Sequence, residues 1–502
     1  YHLSQTDQHR GGLKYALLAA EDAEAVYNYR GAAEFYKQAA HHLDSLGEKG
    51  AWETAVTIAT ARSKILLRLG QFTPAWELAD GALQLCLEQK NGLTQQLTIY
   101  NLLAEICLRQ ARYDEVPALV DKVIHASPPL GQTAVPPAEL GQAQMLWGQA
   151  LIALTDYAAA LDKLKQAESV FRSSQLPKKL AQLLLALAEG YSRLHTNTAS
   201  LGAVQEAEKL LQDETEPTLL GQKAFVLSRI QLRLERANQA LAAADTAVAN
   251  LRSAGVNHLA HGLLHRAEVY LYLGQFKSAL ADLQRANDLL DGMDDVPGQL
   301  KLHLLWGVGY HGGLGDWRQA QQQLSQVRPL LSAHSQHKAL VAEADIPLWL
   351  GLGSVALHME RWPEAESLFK RVLTAVAPQR LVWWRPAALY GWGMLLLARA
   401  VDDERETAVA QAHQTFREAL QAVESGGCPD ELPLILLQLG QTARQRGDDR
   451  CWHYWETAVQ SARQRARHTD RMFVLQQAGQ ALLQAPDTRL QQLGQETLQQ
   501  LS

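Results

Sequence analysis

One short pattern returns down most of this chain, and it limits the possible folds more than any other feature. Its clearest copy is Leu273–Gly274–Gln275–Phe276–Lys277–Ser278–Ala279–Leu280, continuing through Leu283 to Ala286. An apolar run ends at Gly274, where a left-handed cap is least costly for glycine. Phe276 follows in the turn, and Ala279, Leu280, Leu283 and Ala286 then share one helical face. Ala267 stands twelve residues before Ala279, where a first helix would be crossed by a second. Small residues at a crossing let two helix backbones approach.

Variants run along the sequence. Leu69–Gly70–Gln71–Phe72 leads to Ala75, Ala79 and Ala82, and Ala111–Arg112–Tyr113 leads to Val116, Val120 and Val123. Asp156–Tyr157 leads to Ala160, Leu164 and Ala167, with Gly148 twelve residues before Ala160. Ala240, Ala244 and Ala247 mark another copy. Gly315–Asp316–Trp317 leads to Ala320, and Arg361–Trp362 to Ala365. Successive anchors at Ala75, Val116, Ala160, Ser200, Ala240, Ala279, Ala320 and Ala365 are separated by 41, 44, 40, 40, 39, 41 and 45 residues.

This grammar resembles the tetratricopeptide repeat (TPR), a helical hairpin with small residues at its crossing and an aromatic at its turn. The steps exceed the usual repeat of about 34 residues. Repeats this long look like those of the maltose-regulon transcription activator and of bacterial signal-transducing (STAND-type) ATPases. The resemblance implies an all-α, right-handed superhelical solenoid of about 11–12 hairpins with no β-sheet, in which each repeat buries its second apolar face on a neighbour. The expected organisation is one continuous solenoid over 1–502: opening hairpins at 1–46, regular long repeats at 50–424, and a degenerate repeat with a C-terminal cap at 428–502. The opening stretch, from Tyr1–His2 through Lys14, Tyr15, Ala19, Ala23 and Ala32 to Tyr36, Ala39 and Leu43, is also similar to a junction that follows the ATPase module in such proteins, some of them fused to nucleotide cyclases. With Tyr1 rather than Met at its start, the sequence reads as part of a larger protein or a processed product.

Prolines punctuate the repeats without ending them. Pro128, Pro129, Pro136 and Pro137 bracket the longest linker of the first half, and the pattern resumes at Leu140. The acidic tract Ala400–Thr407, with Asp402, Asp403, Glu404 and Glu406, is expected to be a solvated insertion inside one hairpin. Gln-rich helices at about 469–484 and 487–501 suit a terminal cap with one polar side.

Chemistry is scarce. The net charge of −6 offers no general field for nucleic acid. The basic run Arg463, Arg465, Arg467 and Arg471 reads as a solvated helix face. No apolar stretch reaches the roughly 18 residues of a membrane span. Cys86, Cys107, Cys428 and Cys451 lack disulfide or metal spacing and read as buried thiols of a reducing, cytoplasmic compartment. No phosphate-binding Gly-x-x-x-x-Gly-Lys run is present. Gly307–Val308–Gly309–Tyr310–His311–Gly312 matches a dinucleotide-binding spacing by letter but follows a helical pattern, so its glycines are expected to serve helix packing. Ser367–Leu368–Phe369–Lys370 matches a penicillin-binding motif equally out of context. No catalytic residue, cofactor or metal is expected.

Two groups are candidates for recognition. His261, His265 and Glu268 share one face of a first helix. Two histidines and a carboxylate can hold zinc, but a polar groove face is the simpler reading. Of the 12 tryptophans, seven lie between 300 and 400. Trp317 and Trp362 take turn positions, whereas Trp306, Tyr310, Trp349, Trp383, Trp384 and Trp392, with Arg380 and Arg385 nearby, can form a recognition surface on the concave side or its rim. The expected function is a non-catalytic sensor or regulatory solenoid of a larger signalling ATPase or transcription regulator. It would bind a protein, a peptide or a small-molecule inducer, and no nucleic acid or membrane. The alternative is a stand-alone adaptor docking a peptide or helix.

Overall fold

The computed structural model describes residues 9–46, 51–89, 92–126, 135–194, 196–234, 236–334, 338–376, 383–400, 404–465 and 467–501. Tyr1–His2, Pro128–Pro129, Arg380 and Asp402–Asp403 lie outside these residues. Within them the chain is all α-helical and folds as a TPR-like solenoid of twelve helical hairpins. In chain order these are α1 (His9–Ala25) with α2 (Tyr29–Leu46), α3 (Trp52–Arg68) with α4 (Phe72–Glu88), α5 (Leu93–Arg109) with α6 (Val116–Ile124), and α7 (Pro137–Ala153) with α8 (Tyr157–Ser173). There follow α9 (Pro177–Arg193) with α10 (Asn197–Leu210), α11 (Pro217–Arg233) with α12 (Ala237–Leu251), α13 (Val256–Tyr272) with α14 (Phe276–Leu290), and α15 (Val296–Leu304) with α16 (Trp317–Ala333). The last four are α17 (Lys338–His358) with α18 (Trp362–Ala375), α19 (Arg385–Ala398) with α20 (Arg405–Glu424), α21 (Leu432–Gln445) with α22 (Cys451–Arg465), and α23 (His468–Leu482) with α24 (Thr488–Gln499). The acidic tract is only partly a turn, because α20 already begins at Arg405 and carries Glu406 in its first coil.

The turn and the crossing explain the repeated pattern. Eight of the first helices end on a residue with positive φ: glycine at Gly70, Gly274, Gly315 and Gly447, but Tyr27, Ala111, Thr155 and Glu360 at the same place in other copies. The next amide reaches five residues back, as in Gln71 N–H to Leu66 O at 3.0 Å and Gln275 N–H to Tyr270 O at 2.8 Å. This bond caps the helix and fixes the reversal. It is strong enough as a local requirement that four side-chain-bearing residues accept the left-handed conformation, at a cost of about 1 kcal/mol each. The aromatic comes two residues later, and Phe72 is fully enclosed.

All eight anchors, Ala75 through Ala365, are 0% exposed. Each opposes a small residue twelve positions earlier wherever the hairpin is regular. In three copies that relation is a hydrogen bond: Ser63 Oγ to Ala75 O at 2.6 Å, Ser200 Oγ to Ala188 O at 2.7 Å, and Ser228 Oγ to Ala240 O at 2.7 Å. A serine here fills the crossing without enlarging it and donates to the facing helix. In another copy, a Cβ placed on Gly148 would lie 2.6 Å from Leu164 and 3.2 Å from the Ala160 carbonyl, so no larger residue fits.

One hairpin departs from the spacing. Gly307 meets the Ala320 carbonyl thirteen residues on, and Leu305–Gly312 continues α15 as a π-helix. One extra residue has entered the first helix, and the wider coil absorbs it while keeping a glycine at the crossing. The Gly307–Gly312 run therefore serves packing: Gly309 lies against Leu271 and Gly313 against Phe276.

By backbone proximity the chain forms two compact units. Unit 1 comprises Tyr1–Arg266, Asp282–Gln299 and Gln336–Leu340; unit 2 comprises Ala267–Ala281, Leu300–Ser335 and Val341–Ser502. In unit 1 the first helices α3, α5, α7, α9 and α11 pack directly on one another in sequence, while the second helices stand further apart. The first helices therefore line its inner face. In unit 2 the C-terminal core is built on Trp452, Trp455, Leu436, Leu437 and Val474. The basic run is not left free there: Arg463 donates to Thr497 Oγ1 at 3.1 Å and Arg467 to Asp430 at 3.3 Å.

Deleting Gly312 should return the irregular hairpin to the twelve-residue spacing with no side chain lost. The expected free energy of unfolding stays within about 1 kcal/mol of wild type, whereas deleting Tyr272 from the regular α13 should cost about 3 kcal/mol or more. Denaturant melts of the two variants check this.

Candidate functional site

The inner face of unit 1 is polar, and most of its polar groups tie one first helix to the next. Asn101 Nδ2 and Thr98 Oγ1 of α5 donate to the Glu139 carboxylate of α7, at 2.7 and 2.9 Å. Lys179 Nζ of α9 donates to Gln142 of α7 at 2.8 Å, and burial lowers the pKa of Lys179. Arg229 of α11 pairs with Glu189 of α9 at 2.6 Å. These rungs join residues about one repeat apart, where stacked helices bring equivalent positions together.

The histidine cluster belongs to the same system. His265 is 1% exposed, and its Nε2 lies 2.8 Å from Ser228 Oγ, one repeat back. His261 Nε2 lies 2.7 Å from Asp295 Oδ2, one repeat forward. Glu268 pairs with Lys301 at 2.9 Å. The three residues share a helix but point to three different partners. No group of three metal-ligating side chains is found among the described residues.

Asp295 is 1% exposed and accepts from Asn257 Nδ2 at 2.7 Å, His261 Nε2, and the Gly298 amide at 2.9 Å. Burial alone would raise its pKa. The His261 charge and hydrogen bond, with those of Gly298 and Asn257, outweigh it and leave the carboxyl below its ordinary value.

The aromatic candidates are half-buried rather than free. The Arg371 guanidinium covers the Trp349 ring at 4.4 Å, and the Lys370 ammonium lies 5.5 Å from the Trp392 ring. Trp349 and Trp384 pack on one apolar cluster with Ile346, Val372 and Ala388, and Trp392 packs on the clusters around Phe369 and Phe416. Tyr310 sets its edge against Phe276 at 6.1 Å. Trp306 is half-buried beside the crossing glycine. The Trp383 carbonyl accepts the Cys428 amide, and Arg385 is exposed at the start of α19. The four cysteines are buried, and burial pushes the Cys107 thiol up to about 12, so it is not a nucleophile near neutrality.

A cavity of about 480 Å³ opens on the inner face of unit 1. Its walls come from Glu24 of α1, from Val56, Thr57, Thr60, Ala61 and Lys64 of α3, and from Thr94, Gln95 and Thr98 of α5. It sits where the rungs stop: among the described residues no side-chain hydrogen bond or ion pair joins α3 to α5. Glu24 accepts from the Tyr36 hydroxyl at 2.6 Å, and Thr57 donates to a backbone carbonyl of its own helix. Thr60, Lys64, Thr94 and Gln95 have side chains with no hydrogen bond or ion pair to another described residue. Sequence reasoning passed over this site because threonines on a helix carry no motif. Its one legible sign is a polar inner face without the partner that the neighbouring repeats supply.

No family model matches the chain, and no curated protein does. Solved structures do. A Rap protein complexed with Competence and Sporulation Factor superimposes with a TM-score of 0.50 at 11% identity, covering 72% of this chain and 97% of that one. A STAND protein with a tetratricopeptide repeat sensor from Pyrococcus horikoshii gives 0.43 at 14% identity, over 75% of this chain and 54% of its own. A tetratricopeptide repeat protein from Parabacteroides merdae gives 0.37 at 17%, over 60% and 98%. At these identities the Rap likeness is one of fold. No helix among the described residues is long and apolar enough to cross a membrane.

Removing the Asp295 carboxylate strands two buried donors, Asn257 and the Gly298 amide, and the half-buried His261. Asp295→Ala is expected to lower stability by about 3 kcal/mol at pH 7. Because the folded pKa of Asp295 is depressed, its contribution is present above the ordinary carboxyl value near 4 and is lost as pH falls through the folded value. The gap between wild type and Asp295→Asn should therefore shrink in strong acid, as read from urea melts across pH.

Proposed function

We propose that this chain is a non-catalytic protein-interaction solenoid that receives an extended peptide segment of a partner on the inner face of unit 1, in the cavity between α3 and α5. The observation that carries this reading is the coincidence of the cavity with the missing rung. From α5 onward to α13 the inner polar groups hold repeats together, whereas here Thr60, Lys64, Thr94 and Gln95 are left to a ligand. Threonine hydroxyls and a glutamine amide suit the alternating donors and acceptors of an extended backbone. Lys64 at one side and Glu24 at the other favour a segment carrying both charges. The cavity also falls within the size range of small-molecule sites, about 300–1,000 Å³, so a small inducer is the competing occupant.

The finer reading, a sensor within a larger STAND-type signalling ATPase or transcription regulator, rests on the long repeat and on the resemblance of residues 1–43 to the junction in such proteins. The stretch with Trp383, Trp384 and exposed Arg385 is proposed as a second contact surface.

Selection of random peptides against the purified chain, followed by calorimetry, tests the site. Ala61→Trp, which fills the cavity, and Lys64→Glu, which reverses its charge, should each weaken the selected peptides at least about tenfold, or about 1.4 kcal/mol. Binding that survives both but is lost in the Trp384→Ala, Arg385→Ala double variant would move the site to the second surface.

A further inference from the structure

Unit 1 closes on itself. The turn after α3 meets two turns that come nearly two hundred residues or more later in the chain. Thr73 N–H donates to Asp294 Oδ2 at 3.2 Å across a separation of 221 residues. The Asp294 amide in turn reaches the Gly70 carbonyl at 3.4 Å. Gly255, at φ +117, lies so close to this turn that a Cβ would stand 2.7 Å from the Arg68 carbonyl. A Cβ on Gly70, at φ +75, would stand 2.7 Å from Met293 Sδ. Gly255 is needed both for its dihedral and for the space beside a backbone carbonyl, whereas Gly70 leaves room for the Met293 side chain.

The contact is built differently from the rest of the unit. Elsewhere neighbouring hairpins bury apolar helix faces; here two sets of turns touch through two hydrogen bonds and two glycines. Such an interface opens more readily than the stack it joins. Opening it frees the turn at the end of α3, the helix that carries most of the cavity wall. The contact also holds a titratable group. His258 is half-buried, and its Nδ1 has neither solvent nor a hydrogen-bond partner. The charged groups facing it are Arg68 at the end of α3, Arg109 at the end of α5, and His261 one turn along α13; Asp294 and Asp295 stand on the turn before α15.

We propose that this contact is a latch that holds unit 1 closed near neutral pH and opens on mild acidification, loosening the end of α3 and the inner face beside it for a partner. The role of the opened face rests on the peptide-binding reading above; the latch itself does not. The sign follows from the surroundings of His258. Burial, then Arg109, His261 and Arg68, keep it well below the ordinary imidazole value in the closed form. Once the turns separate, it can take a proton near pH 6.5. Closure is therefore favoured above about pH 6.5 and weakens progressively below it.

Hydrogen exchange of the full chain, corrected for the intrinsic pH dependence, tests this without any ligand. In wild type, amides of residues 66–74 and 253–260 should exchange at least about tenfold faster at about pH 5 than at about pH 7.5, with α7 and α9 still protected. His258→Gln should stay slow at both values. Gly255→Val should be fast at both; should that variant fail to fold, Asp294→Ala, which removes one hydrogen bond and introduces no clash, takes its place with the same expectation. Equal exchange of wild type at the two pH values, an acid response that persists in His258→Gln, or acid loss of protection throughout α7 and α9 would each overturn the latch. Failure of peptide binding with an intact acid response would leave the latch standing and overturn only the use of the opened face.

Discussion

The close approach of two backbones at the crossing of each hairpin is the constraint on which the rest depends. The side chain at the anchor is small, and the residue twelve positions before it is Ala, Gly or Ser in every regular copy. Where it is serine, or the anchor itself is, the hydroxyl bonds the facing carbonyl. Everything outside that point can vary. Linkers lengthen the step from 39 to 45 residues, prolines open several first helices, and an inserted residue in α15 is taken up as a π-helix so that Gly307 still reaches Ala320. The repeat survives because one local distance is kept, not because its length is.

That locality is why the fold was legible from the residues. Ala75, Val116, Ala160, Ser200 and their successors could be placed by spacing alone, and all are fully enclosed. The left-handed turns were legible where glycine marks them and less so at Ala111, Thr155 and Glu360, where the capping bond imposes a conformation that the residue type does not advertise. His261, His265 and Glu268 could be placed on one helix, but not given partners. A rung joins positions a repeat apart, and neither Ser228 nor Asp295 shows in a helical pattern that it faces a histidine. The tryptophans show the same limit. A cation over each ring of Trp349 and Trp392, and the apolar clusters beneath them, come from neighbouring helices that composition does not reveal. The latch lies furthest from sequence reasoning, since its halves are 221 residues apart.

The inner face of unit 1 thus sorts its polar groups by whether the fold uses them. Glu139, Lys179, Arg229, Ser228 and Asp295 are bonded between repeats, and removing Glu139, Ser228 or Asp295 leaves a buried partner unsatisfied. Thr60, Lys64, Thr94 and Gln95 surround a cavity and serve no such bond. Groups that the fold does not need are the natural place for recognition, because they can be selected for a partner without a penalty in stability.

That division can be measured directly from unfolding. The triple variant Thr60→Ala, Lys64→Ala, Gln95→Ala should unfold in urea within about 0.5 kcal/mol of wild type, as expected for groups that hold nothing together. A loss of more than about 2 kcal/mol, comparable to removing a rung, would show that the cavity walls belong to the scaffold and would contradict the assignment of the site.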